Sequence, residues 1–213
     1  MELENQLSPM LTVTMPPAVT AATGIDAMSH AVETYVTTRR NPLSQLFSRE
    51  AWRLLEANFE TVLREPDNIE ARGAMLLGAH LAGAAIENSM LGATHACANP
   101  LTAHFGITHG VAIGIMLPHV VRFNASVVGP LYGELAVIAD KDSGNGDGYA
   151  DCLAARIEAA VLESGQPTRL AQCGIDPRIV PVLADEATQQ WTGQFNPRPL
   201  QVQDFVDLYE CAL

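Results

Sequence analysis

Residues 24–37 read GIDAMSHAVETYVT, and the spacing of their apolar side chains indicates an α-helix. Ile25, Met28, Val32 and Tyr35 recur at intervals of three and four residues, which places them in one stripe along a helix. This stretch decides the fold class, because similar helical spacing recurs in most other segments of the chain.

Helical patterns dominate the rest of the sequence. An Asn41-Pro42 pair predicts an N-cap followed by the first position of a helix. The segment 68–91 is rich in Ala, Leu and Gly with few charges, so we expect it to be buried on most sides. The segments with helical character are 42–64, 68–91, 108–124 and 201–213. Residues 11–14 alternate like a strand, but the prolines that follow allow at most one short strand. The sequence therefore predicts an all-α, bundle-like fold.

Composition narrows the classes of function. The chain has 213 residues and a formal net charge of −12, and this acidity disfavours nucleic acid, which is bound through Lys and Arg. Hydrophobic residues make up 48% and charged residues 17%, which argues for a folded core. The N-terminus lacks the features of a signal peptide, and the longest apolar run, 110–121, is too short to cross a bilayer. We therefore expect no membrane partner. Four scattered cysteines indicate reduced thiols in a cytoplasmic protein.

One acidic, glycine-rich stretch stands apart from the helical pattern. Residues 140–151 read DKDSGNGDGYAD, and their aspartate spacing resembles a calcium loop. The glycines fall at the wrong offsets for an EF-hand, so we interpret the stretch as a solvated loop.

The first candidate site is the pair of Asp26 and His30. Residues four apart on a helix leave the same face one turn apart, so both side chains could reach one cation. An Asp–His hydrogen bond that stabilises the helix also explains the pair, and the pair alone favours this structural explanation, because Asp/His pairs at this spacing are common.

A second pair, His95 and His109, lies further along the chain. On one straight helix these residues would stand about 21 Å apart, too far to share an ion. We expect Pro100 to interrupt the helix and Gly106 to allow a turn, which would bring both imidazoles to one point. An aspartate with three histidines suits Fe(II), Zn(II), Mn(II) or Ni(II), and excludes a thiolate zinc finger. Such a set leaves room for a substrate oxygen.

These motifs resemble those of the iron-containing (group III) alcohol dehydrogenase family. GIDAMSHAVETYVT is similar to the family's G-x-D-A-x-x-H-A-x-E signature. HACANPLTAHFGITHGVAIGIMLPHVVRFN is similar to its H-x13-H-G-V-A segment running into L-P-H, and NPRPLQVQDFVDLYECAL to its usual ending. The resemblance runs from about Ser8 to the C-terminus and implies a helical metal-binding C-terminal domain of the dehydroquinate synthase-like type. It also implies that four residues bind the metal: Asp26, His30, His95 and His109.

The sequence departs from the family at one position. Many members have a further histidine four residues after the third ligand, facing the substrate and the nicotinamide, and here that residue is Asn99. Asn can hydrogen-bond a hydroxyl but cannot relay a proton by titrating. His104 is near enough in sequence to line the pocket, although a packing or capping role fits as well. Glu33 shares the Asp26–His30 face and could orient a ligand, or it could be a solvated or capping carboxylate.

The resemblance implies metal-assisted hydride transfer between a small alcohol or aldehyde and NAD(P), with Fe(II) as the first choice of metal. The family carries the dinucleotide on a separate N-terminal α/β domain, and no glycine-rich phosphate loop follows a predicted strand here. We therefore expect residues 1–17 to lead in from an absent cofactor domain and residues 18–213 to form the metal-binding domain. On this interpretation the chain is the product of a truncated gene, a product of a split gene, or a fragment. We expect it to form a homo-oligomer or to associate with a cofactor-binding domain. Two alternatives stay open, namely a standalone helical metal hydrolase and a non-catalytic dimerisation or docking module.

Overall fold

The computed structural model describes residues 8–139 and 148–213, and within these ranges the chain is helical and contains no β-strand. The predicted all-α class is confirmed. The one short strand that the sequence allowed at residues 11–14 does not form. Instead Pro9–Thr12 make a 3-10 turn, because Pro9 begins the turn and the Thr12 hydroxyl donates to the Pro9 carbonyl at 2.8 Å.

Eight α-helices follow one another in the described ranges, joined by short loops and 3-10 turns. They are α1 (Pro17–Val36), α2 (Pro42–Arg64), α3 (Ile69–Glu87), α4 (Ala93–Phe105), α5 (His109–Ala139), α6 (Tyr149–Glu163), α7 (Val180–Thr188) and α8 (Val202–Ala212).

The start of α2 confirms the predicted cap. Asn41 Oδ1 accepts hydrogen bonds from the backbone N–H groups of Leu43 and Ser44 at 3.1 Å, and Pro42 occupies the first turn. The Ser44 hydroxyl accepts in return from the Asn41 N–H at 3.0 Å, which completes a capping box.

Two helices form the centre of the domain. Helix α1 is buried along most of its length and packs against α2, α3 and α5. Helix α5 is longer than the predicted segment 108–124 and continues past a kink at Val128. By length and apolar composition His109–Ile138 could cross a membrane, but 61% of its most apolar window is buried inside the domain. Its apolar surface therefore serves the core, where it packs against α1, α4 and α6.

Helix α3 corrects one expectation. Segment 68–91 was expected to be buried on most sides, but the helix spans Ile69–Glu87 and is half-buried along most of its length. Its small residues pack on one side against α1 and α2, and Leu77 on another side is exposed. A high content of Ala and Gly thus marks a close one-sided contact here rather than a fully enclosed helix.

The acidic stretch predicted at 140–151 lies largely outside the described residues, since 140–147 are not covered. Description resumes at Gly148, which is the N-cap of α6, so residues 149–151 are helical.

Candidate metal centre

Helix α1 places three ionisable side chains on one face. Asp26, His30 and Glu33 follow one another at intervals of four and three residues, close to one turn of a helix each. Nε2 of His30 lies 3.5 Å from Oδ1 of Asp26, so the predicted pair does meet. The pair also meets side chains from two other helices.

The predicted turn between His95 and His109 exists, but only one of the two expected residues makes it. Gly106 adopts a left-handed conformation with φ of 64° and ends α4, and His109 is the first residue of α5. Pro100 does not interrupt the helix but lies inside α4, although a proline there removes a backbone donor and crowds the carbonyl four residues earlier. Pro100 is buried, so packing of α4 against α5 and α7 holds the helix through it.

The three imidazole rings converge on one carboxylate oxygen, Oδ1 of Asp26. Nε2 of His95 and Nε2 of His109 each lie 3.6 Å from Oδ1 of Asp26. Nε2 of His30 lies 3.1 Å from Nε2 of His95. The ligand atoms of Asp26, His95 and His109 all lie within 4.8 Å of one another. Oδ1 of Asp26 is buried and has no hydrogen-bond partner in the part of the chain that the structure describes. A buried carboxylate oxygen facing three imidazole nitrogens fits a divalent cation.

Burial and neighbouring charges set the protonation of the cluster. Burial lowers the pKa of His30 to about 4 and also lowers the pKa of His109, so both imidazoles are neutral and can act as ligands. Burial acts to raise the pKa of Asp26, but the three surrounding imidazoles outweigh it and lower that pKa. Burial likewise opposes the charged form of His95, but Glu33 and Asp26 outweigh it and raise its pKa to about 9.

Glu33 contacts His95 from the side away from the cluster. Its Oε2 lies 2.6 Å from Nδ1 of His95, and its Oε1 accepts the Thr94 backbone N–H at 2.7 Å. Glu33 is 4% exposed, so the solvated alternative is wrong. The geometry supports both of the other roles, because Oε1 caps the first turn of α4 and Oε2 orients the His95 ring. In the neutral ring, a proton held on Nδ1 leaves the Nε2 lone pair directed into the cluster.

One side of the cluster is open to solvent. The side chains of His30, Asp26 and His109 are 22%, 26% and 36% exposed, whereas that of His95 is 6% exposed. A cation held here would have protein ligands beneath it and an accessible position for a small oxygen ligand, as in catalytic metal sites.

The two predicted pocket residues lie further along α4. Asn99 follows His95 by about one turn and its Nδ2 donates to Oε1 of Gln190 at 2.9 Å. His104 is exposed and its Nε2 lies 2.8 Å from both carboxylate oxygens of Glu186. The pocket roles of both residues stay predictions.

Asn196 was not singled out in the sequence analysis, and its buried amide lies beside the start of α4. Its place in the N-P-R-P stretch was the only available signal.

Comparison with protein families identifies the family of the chain. Residues 20–213 match the model of the Fe-containing alcohol dehydrogenase family, C-terminal. Lactaldehyde reductase of Escherichia coli (strain K12) is 34% identical over 202 residues, which are 93% of this chain and 52% of that protein. The 1,3-propanediol dehydrogenase of Klebsiella pneumoniae is 32% identical over 207 residues, covering 96% of this chain and 53% of that protein.

Solved structures agree with the sequence comparison. A crystal structure of 1,3-propanediol oxidoreductase superposes with a TM-score of 0.93 at 31% identity, covering 96% of this chain and 54% of that one. The chain thus spans about half the length of the proteins it matches.

Proposed function

Because this chain belongs to the iron-containing alcohol dehydrogenase family and corresponds to its C-terminal domain, we propose that it supplies the metal-binding part of the active site of an NAD(P)-dependent alcohol dehydrogenase. The substrate class we propose is a small alcohol or aldehyde. The compartment we propose is the cytoplasm, and the assembly is a homo-oligomer or a complex with a cofactor-binding domain.

Four residues are assigned to one divalent cation, namely Asp26, His30, His95 and His109. The observation that carries this assignment is the buried Asp26 oxygen, which faces three imidazole nitrogens at 3.5–3.6 Å. Fe(II) is the first choice of metal, and Zn(II) or another divalent ion suits the same donors. When bound, such an ion polarises an alcohol or carbonyl oxygen and stabilises negative charge on it.

The protein's own residues then orient and hold the reacting groups. Glu33 fixes the ring of His95 through Nδ1, so that Nε2 faces the cluster. Alcohol oxidation transfers a hydride from carbon to the nicotinamide and releases the hydroxyl proton. Asn99, on the face of α4 that carries His95, can hydrogen-bond the hydroxyl but does not titrate, so the proton leaves to water or to another group.

The dinucleotide requires a domain of a different kind. A dinucleotide site of the family type needs a parallel sheet with a glycine-rich phosphate loop, and residues 8–139 and 148–213 are helical. We therefore propose that NAD(P) is held by an α/β domain outside these residues. Neither the hydrolase alternative nor the docking-module alternative has an observation at the site that favours it.

Metal analysis tests the assignment. We expect the purified 213-residue chain to retain about one divalent ion after dialysis, and His95→Ala and Asp26→Asn to lose it, since each removes a ligand. His80→Ala is the matched control, because His80 is exposed on α3. A folded chain that binds no Fe(II), Zn(II) or Co(II) at neutral pH contradicts the assignment.

The same preparations test the division of labour. We expect no measurable turnover of a short-chain alcohol with NAD+ or NADP+ by this chain alone, because nothing orients the nicotinamide. Robust turnover would overturn the two-domain part of the proposal and leave the metal assignment standing.

A further inference from the structure

Helix α4, which carries His95 near its start, has no capping side chain at its N-cap position. Its N-cap residue is Gly92, which has no side chain, and the first N–H groups of the helix must find acceptors elsewhere. Two acceptors come from distant parts of the chain. Oε1 of Glu33 accepts from Thr94 N at 2.7 Å, and Oδ1 of Asn196 lies 3.4 Å from Ala93 N.

Asn196 is held in one orientation by a second buried amide. Its Nδ2 donates to Oδ1 of Asn124 at 2.7 Å, and Nδ2 of Asn124 donates back to Oδ1 of Asn196 at 2.9 Å. Nδ2 of Asn196 also donates its second hydrogen bond to the Arg198 carbonyl at 2.7 Å. The two asparagines are 4% and 1% exposed, so a flipped or displaced amide would leave buried donors without acceptors.

The segment that contains Asn196 also contacts the other helices of the cluster. The Phe195 carbonyl accepts from the Thr38 N–H at 2.9 Å, just beyond the end of α1. The Arg198 guanidinium donates to the Phe123 carbonyl of α5 at 3.0 Å. Residues 195–198, which we call the C-terminal clamp, therefore contact α4, α5 and the chain just after the end of α1. These three helices carry the proposed ligands.

Gly92 is the point where the clamp and Glu33 approach the backbone. A Cβ atom at this residue would lie 3.1 Å from Oε1 of Glu33 and 3.2 Å from Oδ1 of Asn196. The two acceptors that cap α4 thus share the space that a side chain would occupy.

From this arrangement we propose that Asn196 is a positioning residue of the metal centre. By capping α4 beside Glu33, with Asn124 fixing its amide, it sets where His95 stands relative to Asp26. The role rests on the proposed function, since it requires that the cluster binds a metal.

Co(II) binding tests the proposal with a readout other than activity. The metal-free chain is titrated with Co(II) against a chromophoric chelator, and the visible spectrum of the bound ion is recorded. For Asn196→Ala we expect the Co(II) dissociation constant to rise about ten- to a hundredfold, the range for residues that orient metal ligands. We also expect an altered Co(II) spectrum, because the His95 ring loses its fixed position.

The matched control is Asn68→Ala. Asn68 caps α3 through Ala71 N at 3.0 Å, so this variant also loses a helix cap, but on a helix that carries no proposed ligand. We expect it to lower the melting temperature while leaving Co(II) affinity and spectrum unchanged. Gly92→Ala is the second test variant, and we expect it to weaken Co(II) binding in the same direction.

The outcomes separate the two claims. Wild-type chain that binds no Co(II) overturns the proposed function and this inference with it. A second outcome overturns the positioning role alone. In it, His95→Ala loses Co(II) binding, whereas folded Asn196→Ala and Gly92→Ala keep the wild-type dissociation constant and spectrum. Failure of both variants to fold also overturns it, in favour of a purely structural role for the clamp.

Discussion

Helix α4 carries a histidine–glutamate pair at each end. At its start Nδ1 of His95 lies 2.6 Å from Glu33, and at its end Nε2 of His104 lies 2.8 Å from Glu186. The side chains of the first pair are 6% and 4% exposed, and those of the second are 39% and 37% exposed. The distances barely differ, whereas the surroundings differ completely. Water screens the outer pair, while the inner pair is held in low dielectric, where each unmet hydrogen bond is costly.

Each end of α4 is also bounded by a glycine, for different reasons. Gly92 has no room for a side chain, because Glu33 and Asn196 approach it closely. Gly106 has open space around it, but its φ of 64° is a conformation that residues with a Cβ rarely adopt. The start of the helix is thus specialised for holding His95, and the end for turning the chain towards His109.

The largest difference between the two ends is expected in metal affinity. Glu33→Gln replaces two acceptor oxygens by one acceptor and one donor, although both partners, Thr94 N and His95 Nδ1, donate. We expect the Co(II) dissociation constant to rise about ten- to a hundredfold. The same substitution at Glu186 is the control and should leave the constant within about twofold, as for a screened surface pair. Equal effects at the two sites would remove the distinction between the pairs.

An effect of comparable size is expected from pH. The metal-free His95 has a pKa of about 9, so below that pH a proton must leave its ring before Nε2 can bind a metal. His30 has a pKa of about 4, so at neutral pH its ring carries no extra proton that a metal would have to displace. From about pH 7 to about pH 9 we therefore expect metal affinity to rise up to about tenfold per pH unit and then level off. The measurement is a Co(II) titration at several pH values, and His104→Gln should leave the slope unchanged. An affinity that does not vary over this range contradicts the raised pKa.

The smallest effect is expected in stability. Gly106→Ala forces a residue with a Cβ into a left-handed conformation, which costs about 1–2 kcal/mol. In a chain of this size, each kcal/mol corresponds to about 2–4 °C in melting temperature. Gly83→Ala is the control, because Gly83 lies inside α3 with open space at its Cβ position, so alanine should not destabilise it. A Gly106→Ala variant as stable as the wild type would show that the turn relaxes.

Much of the fold could be predicted because helix formation leaves a local pattern. The apolar stripe from Ile25 to Tyr35 and the Asn41-Pro42 cap both follow from spacing within a few residues. Where prediction failed, longer-range packing was decisive. Pro100 was expected to break a helix that its buried surroundings sustain, and α3 was expected to be more enclosed than the neighbouring helices make it.

The candidate site was predictable in its residue types, but of its supports only Glu33 could be suggested, as one of several roles and without its partner. The i, i+4 spacing of Asp26 and His30 belongs to one helix, and the resemblance of two motifs added His95 and His109. Glu33, which contacts His95, comes from α1, 62 residues earlier in the chain. Asn196, which contacts the Ala93 N–H, comes from the clamp, 103 residues later than Ala93. No periodicity connects residues so far apart.

By itself, then, the sequence determined an acidic, all-helical chain with an aspartate and three histidines in a recognisable order. Only the tertiary structure decided that these side chains meet around one buried oxygen, that Glu33 is enclosed against His95, and that His104 faces solvent. Helical periodicity is a local property of the backbone. Convergence, burial and the resulting shifts in pKa depend on how α1, α4 and α5 pack together, which no single segment encodes.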